Sequence, residues 1–327
     1  MKTLGRRPEG TRLERLRASP LWAEEGFRNR HPILPGLRDP QTPPPTLREF
    51  LCNSDHRVPP SPLPAVDPLA RWARPPASGL RVTWLGHSTV LISHDHYDHL
   101  DYPTIRQLRR SGVPFVTSLG VGAHLEAWGV PPQHIFELDW WESFALPRAE
   151  LRVTAAPAQH FSGRTPGSRN STLWSSFIIR SPRHAVFFSG DTGLTTEYQS
   201  IRERAGPFDL VMLEVGAFHP SWGDMHLGPD NALKAAALLG GGTFLPIHWG
   251  TFALGMHAWD QPAERLLQLA PQAAAQLMMP RLGEATEPAH AERIEPWWRG
   301  AGSGARPQGL GSLVKGTLPK TLPWPLD

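Results

Sequence analysis

The chain has 327 residues, 40% of them apolar, with 33 Lys and Arg against 30 Asp and Glu for a net charge of +3. That length fills one large domain or two ordinary ones, and no stretch approaches the roughly 20 apolar residues of a membrane span. Arginine replaces lysine almost throughout and is spread along the chain with a mild excess before residue 35. The pI of about 9.3 therefore describes a solvated surface rather than the stripe of a nucleic-acid binder, with attraction to anionic lipid as a weaker option.

Residues 1–78 are rich in Pro and Arg, as in Pro43-Pro44-Pro45 and Pro59-Pro60-Ser61-Pro62. They are expected to form an N-terminal extension that docks on the core through Trp22, Phe27, Phe50 and Trp72, with one short helix over 11–18 stopped by Pro20. The first 30 residues lack an apolar h-region, so no Sec-type signal is expected. The single Cys52 excludes an internal disulfide and suits a cytoplasmic setting.

A core domain over 79–299 follows. Strand pieces are expected at 80–85 and 89–92, then a helix at 102–110, a strand at 114–117 and a helix at 119–128 closed by Gly129. Further strands are expected at 135–138, 150–156, 175–180, 185–189, 210–215, 243–247 and 276–279, with helices at 195–205, 229–239 and 262–269. Strands followed by alternating helices and strands indicate a layered α/β or α+β domain. The tail over 300–327 is rich in Gly and Pro and is expected to be loose.

The stretch Ser93-His94-Asp95-His96-Tyr97-Asp98-His99-Leu100-Asp101 concentrates three histidines and three aspartates after an apolar run. Its His-x-His-x-Asp-His spacing offers up to four metal ligands from one short loop. With one cysteine in the chain, the remaining ligands must be His, Asp or Glu. Three polar residues each follow an apolar, strand-like run: His160, Asp191 and His248. Gly190 and Gly193 flank Asp191 and let the backbone approach closely.

In this order the ligand set resembles the metallo-β-lactamase superfamily. The segments Trp84-Leu85-Gly86-His87-Ser88-Thr89, Ala158-Gln159-His160-Phe161-Ser162-Gly163-Arg164, Gly190-Asp191-Thr192-Gly193 and Ile247-His248-Trp249-Gly250-Thr251-Phe252 are similar to the N-acylphosphatidylethanolamine phospholipase D branch and its bacterial relatives. The resemblance covers roughly residues 15–298. It implies an αββα sandwich of the α+β class, two mixed sheets with helices outside and metals at one edge. It implies two divalent metal ions, Zn²⁺ most readily, with Fe or Mn as options. His94, His96 and His160 would hold one, Asp98, His99 and His248 the other, and Asp191 would bridge them. The two ions would bind a bridging hydroxide for in-line attack on a phosphodiester, with Asp98 orienting it.

The resemblance also places His226 among site-lining residues, able to touch substrate or leaving group, with loop capping as the other reading. Gln159 and Arg164 flank His160 as candidate substrate contacts, Arg164 through a phosphate or as a salt bridge at the rim. His87 is read as packing beneath the site, and His56, His124, His134, His184 and His290 as surface or core residues. The implied function is a phosphodiesterase of phospholipase D type, cytoplasmic or peripheral to the inner membrane face, acting on a small-molecule or phospholipid substrate. No nucleic-acid partner is expected, and oligomeric state is left open.

Relatives carry a hairpin and a long loop between the Trp-Leu-Gly-His segment and the ligand loop. Here Val90-Leu91-Ile92 runs directly into Ser93, which reads as an internal deletion between Ile92 and Ser93 that removes one strand hairpin. Two alternatives follow: a lactonase or other ester hydrolase on the same site, and a metal-binding but catalytically impaired variant.

Overall fold

The computed structural model describes residues 2–33, 39–52, 57–87, 92–146, 150–273, 276–291 and 294–301. In chain order these form α1 (Gly10–Arg17), β1 (Trp22–Ala23), β2 (Gly26–Phe27), α2 (Leu47–Cys52), α3 (Leu69–Trp72), β3 (Val82–Thr83), α4 (Tyr102–Leu108), β4 (Phe115–Ser118), α5 (Gly122–Ala127), β5 (Ile135–Leu138), β6 (Ser143–Leu146) and β7 (Leu151–Ala156). There follow β8 (Ser176–Arg180), β9 (Ala185–Phe188), α6 (Glu197–Ala205), β10 (Leu210–Glu214), α7 (Gly228–Leu238), β11 (Thr243–Ile247), α8 (Gln261–Leu269), β12 (Gln276–Leu277) and β13 (Ala285–Thr286).

A seven-stranded mixed sheet in the order β12-β11-β10-β9-β8-β7-β6 dominates the fold. β9 to β12 run parallel, and β6 to β9 pair antiparallel. The central strands β9, β10 and β11 are buried at every residue. That is why they read as unbroken apolar runs, as expected of parallel strands covered on both faces. Pro246 sits within β11, where a missing N–H would normally cost a ladder bond. The neighbouring β12 pairs only with Thr243 and Phe244, so the edge is already free of partners at Pro246.

The second layer is made of short pairs: β3 with β13, and β4 with β5. β4 lies against β7 and β5 against β6, so the layers face each other as a sandwich. The expected strand over 80–85 is reduced to β3. Residues 88–91, which carry most of the second expected piece, lie outside the described residues, as do 302–327 of the tail. The two ends of that join are held in different places. Ile92 bridges Thr117 in β4, whereas the His87 carbonyl accepts from the His248 N–H at the end of β11. The expected helix over 119–128 starts at Gly122 instead, because residues 118–121 turn to bring Gly120 and Gly122 N–H groups onto Glu137. β6 has no counterpart among the expected strands; its alternately exposed pattern over only four residues gives a weak signal.

The main core joins the sheet to α6, α7 and α8 and includes Phe187, Phe188, Val211, Leu213, Phe244 and Leu266, all at or near zero exposure. A second cluster packs Leu16 of α1 and Phe27 of β2 on Leu119, Leu173 and Trp174, so residues 10–27 are part of the packed body. A third, around Leu100, Ile105, Leu125 and Trp128, lies under the ligand loop.

Candidate metal centre

The C-terminal ends of four strands meet at one edge of the large sheet, β9, β10 and β11 side by side and β7 beyond β8. His160 follows β7, Asp191 follows β9, Glu214 ends β10 and His248 follows β11. Gly190 adopts φ +58, and a Cβ there would lie 2.6 Å from Ser93 Cβ. A Cβ on Gly193 would lie 1.7 Å from the Asp224 carbonyl oxygen. The close approach expected of both glycines is therefore present, and at Gly190 it brings the Asp191 turn against the root of the ligand loop.

The three aspartates of that loop have three different tasks. Asp101 caps α4, accepting from the Thr104 N–H at 2.9 Å, with Pro103 in the first turn. Asp95 is fully buried and turned away from the site. Its Oδ1 accepts from the Gly163 N–H at 2.7 Å, and its Oδ2 lies 3.3 Å from His124 Nε2. Asp98 alone faces the centre.

The ligand atoms form two groups around Asp191. On one side His94 Nε2 lies 2.8 Å and His160 Nε2 3.4 Å from His96 Nδ1. Asp191 Oδ2 is 3.7 Å from His94 Nε2 and 3.6 Å from His160 Nε2. On the other side Asp191 Oδ1 lies 3.0 Å from His99 Nε2 and 3.1 Å from His248 Nε2. Asp98 Oδ2 is 3.2 and 3.3 Å from the same two nitrogens. His87 Nε2 joins this side, 2.8 Å from Asp98 Oδ2. Asp191 Oδ1 is buried without a well-directed hydrogen bond. Convergent nitrogens and a carboxylate oxygen left in that state suit cations on both sides, and an imidazole and carboxylate donor set suits Zn²⁺, Fe or Mn.

The outer ring nitrogens of His94, His99 and His160 are held from behind, which aims their inner nitrogens at the centre. Ser93 Oγ lies 2.9 Å from His94 Nδ1 and 3.3 Å from His99 Nδ1. His160 Nδ1 lies 3.3 Å from the Met225 carbonyl. His87 and His248 adopt left-handed backbone conformations, φ 47 and 65, uncommon for side chains with a Cβ and found where a structure over-determines a site.

The two sides differ electrostatically. Burial pushes His94 and His160 well below the usual histidine pKa; neighbouring histidines push the same way, and Asp191 only partly opposes them. Burial also lowers His96 against the pull of Asp95 and Asp98. On the other side burial is outweighed: Asp191 and Asp98 raise His99 to about 9 and His248 well above its usual value. Burial acts to raise both carboxylates, but the facing histidines hold Asp98 and Asp191 far below the usual range.

His226 stands at the rim, ring centroids 5.1 Å from His160 and 5.5 Å from His248. Its Nδ1 is 2.7 Å from Glu214 Oε2. Glu214 is completely buried and also accepts from the N–H groups of Thr192 and Leu227. A carboxylate closing a fully apolar strand was the available sequence signal for Glu214. His87, expected to pack beneath the site, instead touches Asp98 directly.

Two expected substrate contacts are corrected. The Gln159 amide donates to the Asp224 carbonyl at 2.9 Å, and its backbone N–H to Thr192 Oγ1. Arg164 is buried behind the loop, where its guanidinium donates to the carbonyls of Asp95, Leu100 and Thr3 and lies 4.0 Å from the Tyr97 ring. Both are committed to the scaffold, because carbonyls across the chain take up the donors that a substrate would need. His124, grouped with surface or core histidines, is buried and hydrogen-bonded to Asp95. Asn29 grips the backbone of His160, donating to its carbonyl at 2.7 Å and accepting from its N–H at 3.1 Å.

Residues 59–249 match the family model described as the beta-lactamase superfamily domain. An uncharacterized protein of Mycobacterium tuberculosis is 45% identical over 214 residues, 64% of this chain and 57% of that protein. The chain thus spans little more than half the length of that relative. N-acyl-phosphatidylethanolamine-hydrolyzing phospholipase D 1 of Caenorhabditis elegans is 28% identical over 249 residues, 59% of this chain and 70% of that protein. A solved metallo hydrolase from the archaeon Ignicoccus hospitalis aligns with a TM-score of 0.50 at 21% identity, covering 63% of this chain and 97% of that one. At that identity the likeness speaks for the fold alone.

Proposed function

The chain belongs to the metallo-β-lactamase superfamily; from that membership we propose a metal-dependent hydrolase, a dinuclear phosphodiesterase of phospholipase D type. The carrying observation is the buried Asp191, whose two oxygens each face a separate ligand group. One cation would be held by His94, His96 and His160, the other by Asp98, His99 and His248, with Asp191 between them. When bound, such ions supply Lewis acidity toward phosphoryl oxygens and lower the pKa of water.

The chain's own residues set the rest. Burial keeps His94 and His160 in the neutral form that can ligate. His87 and His99 hold Asp98 ionised, facing the centre. Glu214 fixes the His226 ring through Nδ1, leaving Nε2 as the atom that can pass a proton to a departing alkoxide. Relatives named as N-acyl-phosphatidylethanolamine-hydrolyzing phospholipase D in Caenorhabditis elegans and Saccharomyces cerevisiae support a phospholipid or related diester as substrate. Among the described residues no helix is long and apolar enough to cross a membrane, so a phospholipid would be met at the bilayer surface.

The test is metal content of the purified chain together with turnover of a generic phosphodiester, an N-acylated phospholipid and a lactone. Two metals per chain and diester cleavage that Asp191→Ala abolishes are expected. Faster turnover of the lactone would favour an ester hydrolase. Bound metal without turnover of any of the three would indicate an impaired variant.

A further inference from the structure

A groove opens between β7, β8 and the end of α6, at the end of the large sheet away from the metal centre. Trp141, Arg152, Thr154, Ile178, Arg180 and Arg204 line it, and its volume is ≈ 430 Å³, within the size range of small-molecule sites. β7 leaves the groove at Arg152 and runs on to Ala156 and then His160. Roughly 13 Å of strand therefore separates Arg152 from the strand end that carries the metal centre.

Two of the arginines stand face to face. Arg152 of β7 pairs directly with Arg180 of β8 in the antiparallel ladder, which puts their Cβ atoms about 5 Å apart on one face of the sheet. Like charges in that position are destabilising. Arg204, in the last turn of α6, joins them, its Cζ 4.4 Å from the Trp141 ring centre. All three are exposed. No carboxylate lines the groove, and among the described residues none of the three forms an ion pair. Other exposed arginines do find acids, as Arg265 finds Asp230 and Arg299 finds Glu264.

The fold offers little compensation. Arg180 donates to the Ala205 carbonyl at the end of α6, but a helix C-terminus carries only about half an elementary negative charge against three guanidinium charges. A monovalent carboxylate would leave most of the excess in place. A phosphoryl dianion balances more of it, and the planar guanidinium fork takes phosphate oxygens in pairs. The arginines ring one groove rather than forming a stripe, which suits a small molecule and not nucleic acid. We propose that this groove is a binding site for a small phosphorylated anion, with Arg152 and Arg180 clasping the phosphoryl group and Arg204 adding charge from the helix end.

The test is a calorimetric titration of the metal-loaded full chain with inorganic phosphate, at an ionic strength held constant with chloride. Saturable binding is expected. Arg152→Gln and Arg180→Gln should each weaken it by about tenfold or more, whereas Arg110→Gln, which removes an exposed arginine after α4, should leave it unchanged. Equal weakening by all three would reflect net charge and overturn the site. An affinity unchanged in both groove variants would put the anion at the metal centre alone and overturn it too, as would the lack of saturable binding. Retention on phosphatidylglycerol vesicles that the two groove variants lose, without binding of free phosphate, would make the patch a bilayer contact instead. Melting curves separate these effects from misfolding. Without anion, Arg152→Gln should melt no lower than the wild type, because it relieves the facing charges. Phosphate should then raise the melting temperature of the wild type more than that of the variant, and an equal rise in both would count against the groove.

Discussion

On the large sheet Asp191, Glu214 and His248 stand at the ends of the neighbouring strands β9, β10 and β11, and His160 at the end of β7 beyond β8, so the ladders of one sheet set their spacing. Across from them His94, His96, Asp98 and His99 hang on a loop rooted at Ile92, which among the described residues joins a strand through one bridge to Thr117. What holds this loop is chiefly side-chain bonding, with one backbone bond from Ser175. Ser118 Oγ and the Ser175 N–H both donate to the Ser93 carbonyl. Arg164 and the Asp95–His124 pair tie it to Gly163, Leu100 and Thr3. Backbone ladders tolerate the loss of one side chain, whereas a loop held by a few buried polar groups does not. The two halves of the centre should therefore fail in different ways.

The largest effect is expected where both halves meet. Asp191→Asn removes the carboxylate charge that both ligand groups share, and should lower kcat/KM for a phosphodiester on the order of 10³-fold while metal content falls below that of the wild type. Retained activity with full metal content would show that the halves do not depend on a common residue.

Arg164→Met should expose the weakness of the loop. It strips three carbonyls of a charged donor and should cost about 2–4 kcal/mol of stability. Amide exchange should rise across 93–101, while β9, β10 and β11 stay protected. Equal loss of protection on the sheet would erase the proposed contrast.

Glu214→Gln tests the sheet side. The backbone ends of β10 stay in place, but the charge facing His226 is lost. A drop of roughly 10–100-fold in kcat with little change in melting temperature is expected; a large fall in melting temperature instead would make Glu214 chiefly structural.

The smallest effect concerns pH in the metal-free chain. His94 and His160 titrate below their usual value when folded, so the unfolded chain binds more protons as pH falls below about 6.5, and that side loses stability on acidification. His99 is raised to about 9. Its contribution is complete below about 6.5 and is lost as pH rises through about 9. Denaturant midpoints across pH 5–10 should thus peak near pH 6.5 and fall toward about pH 9, and restoring metal should flatten the curve. A monotonic profile would contradict the opposite signs assigned to the two sides.

Much of this centre was legible in the sequence because its chemistry is local. His94 to His99 lie in one short motif, and His160, Asp191 and His248 each follow an apolar run whose period marks a strand. The seven candidate ligands and a layered α/β or α+β domain are readable in that way, and the resemblance to the superfamily adds the sandwich. Which groups steady them depends on contacts between residues far apart in the chain. Arg164 reaches Thr3 across 161 positions, and Arg6 reaches His124 across 118. No pattern within a window reports such pairings, so Arg164 reads as a rim cation and His124 as filler until the fold buries both. The same holds within the motif: three aspartates of equal appearance become a brace, a group facing the candidate centre and a helix cap. Side-chain type and spacing determined which residues could bind metal, whereas burial and direction, set by long-range packing, decided which of them face it.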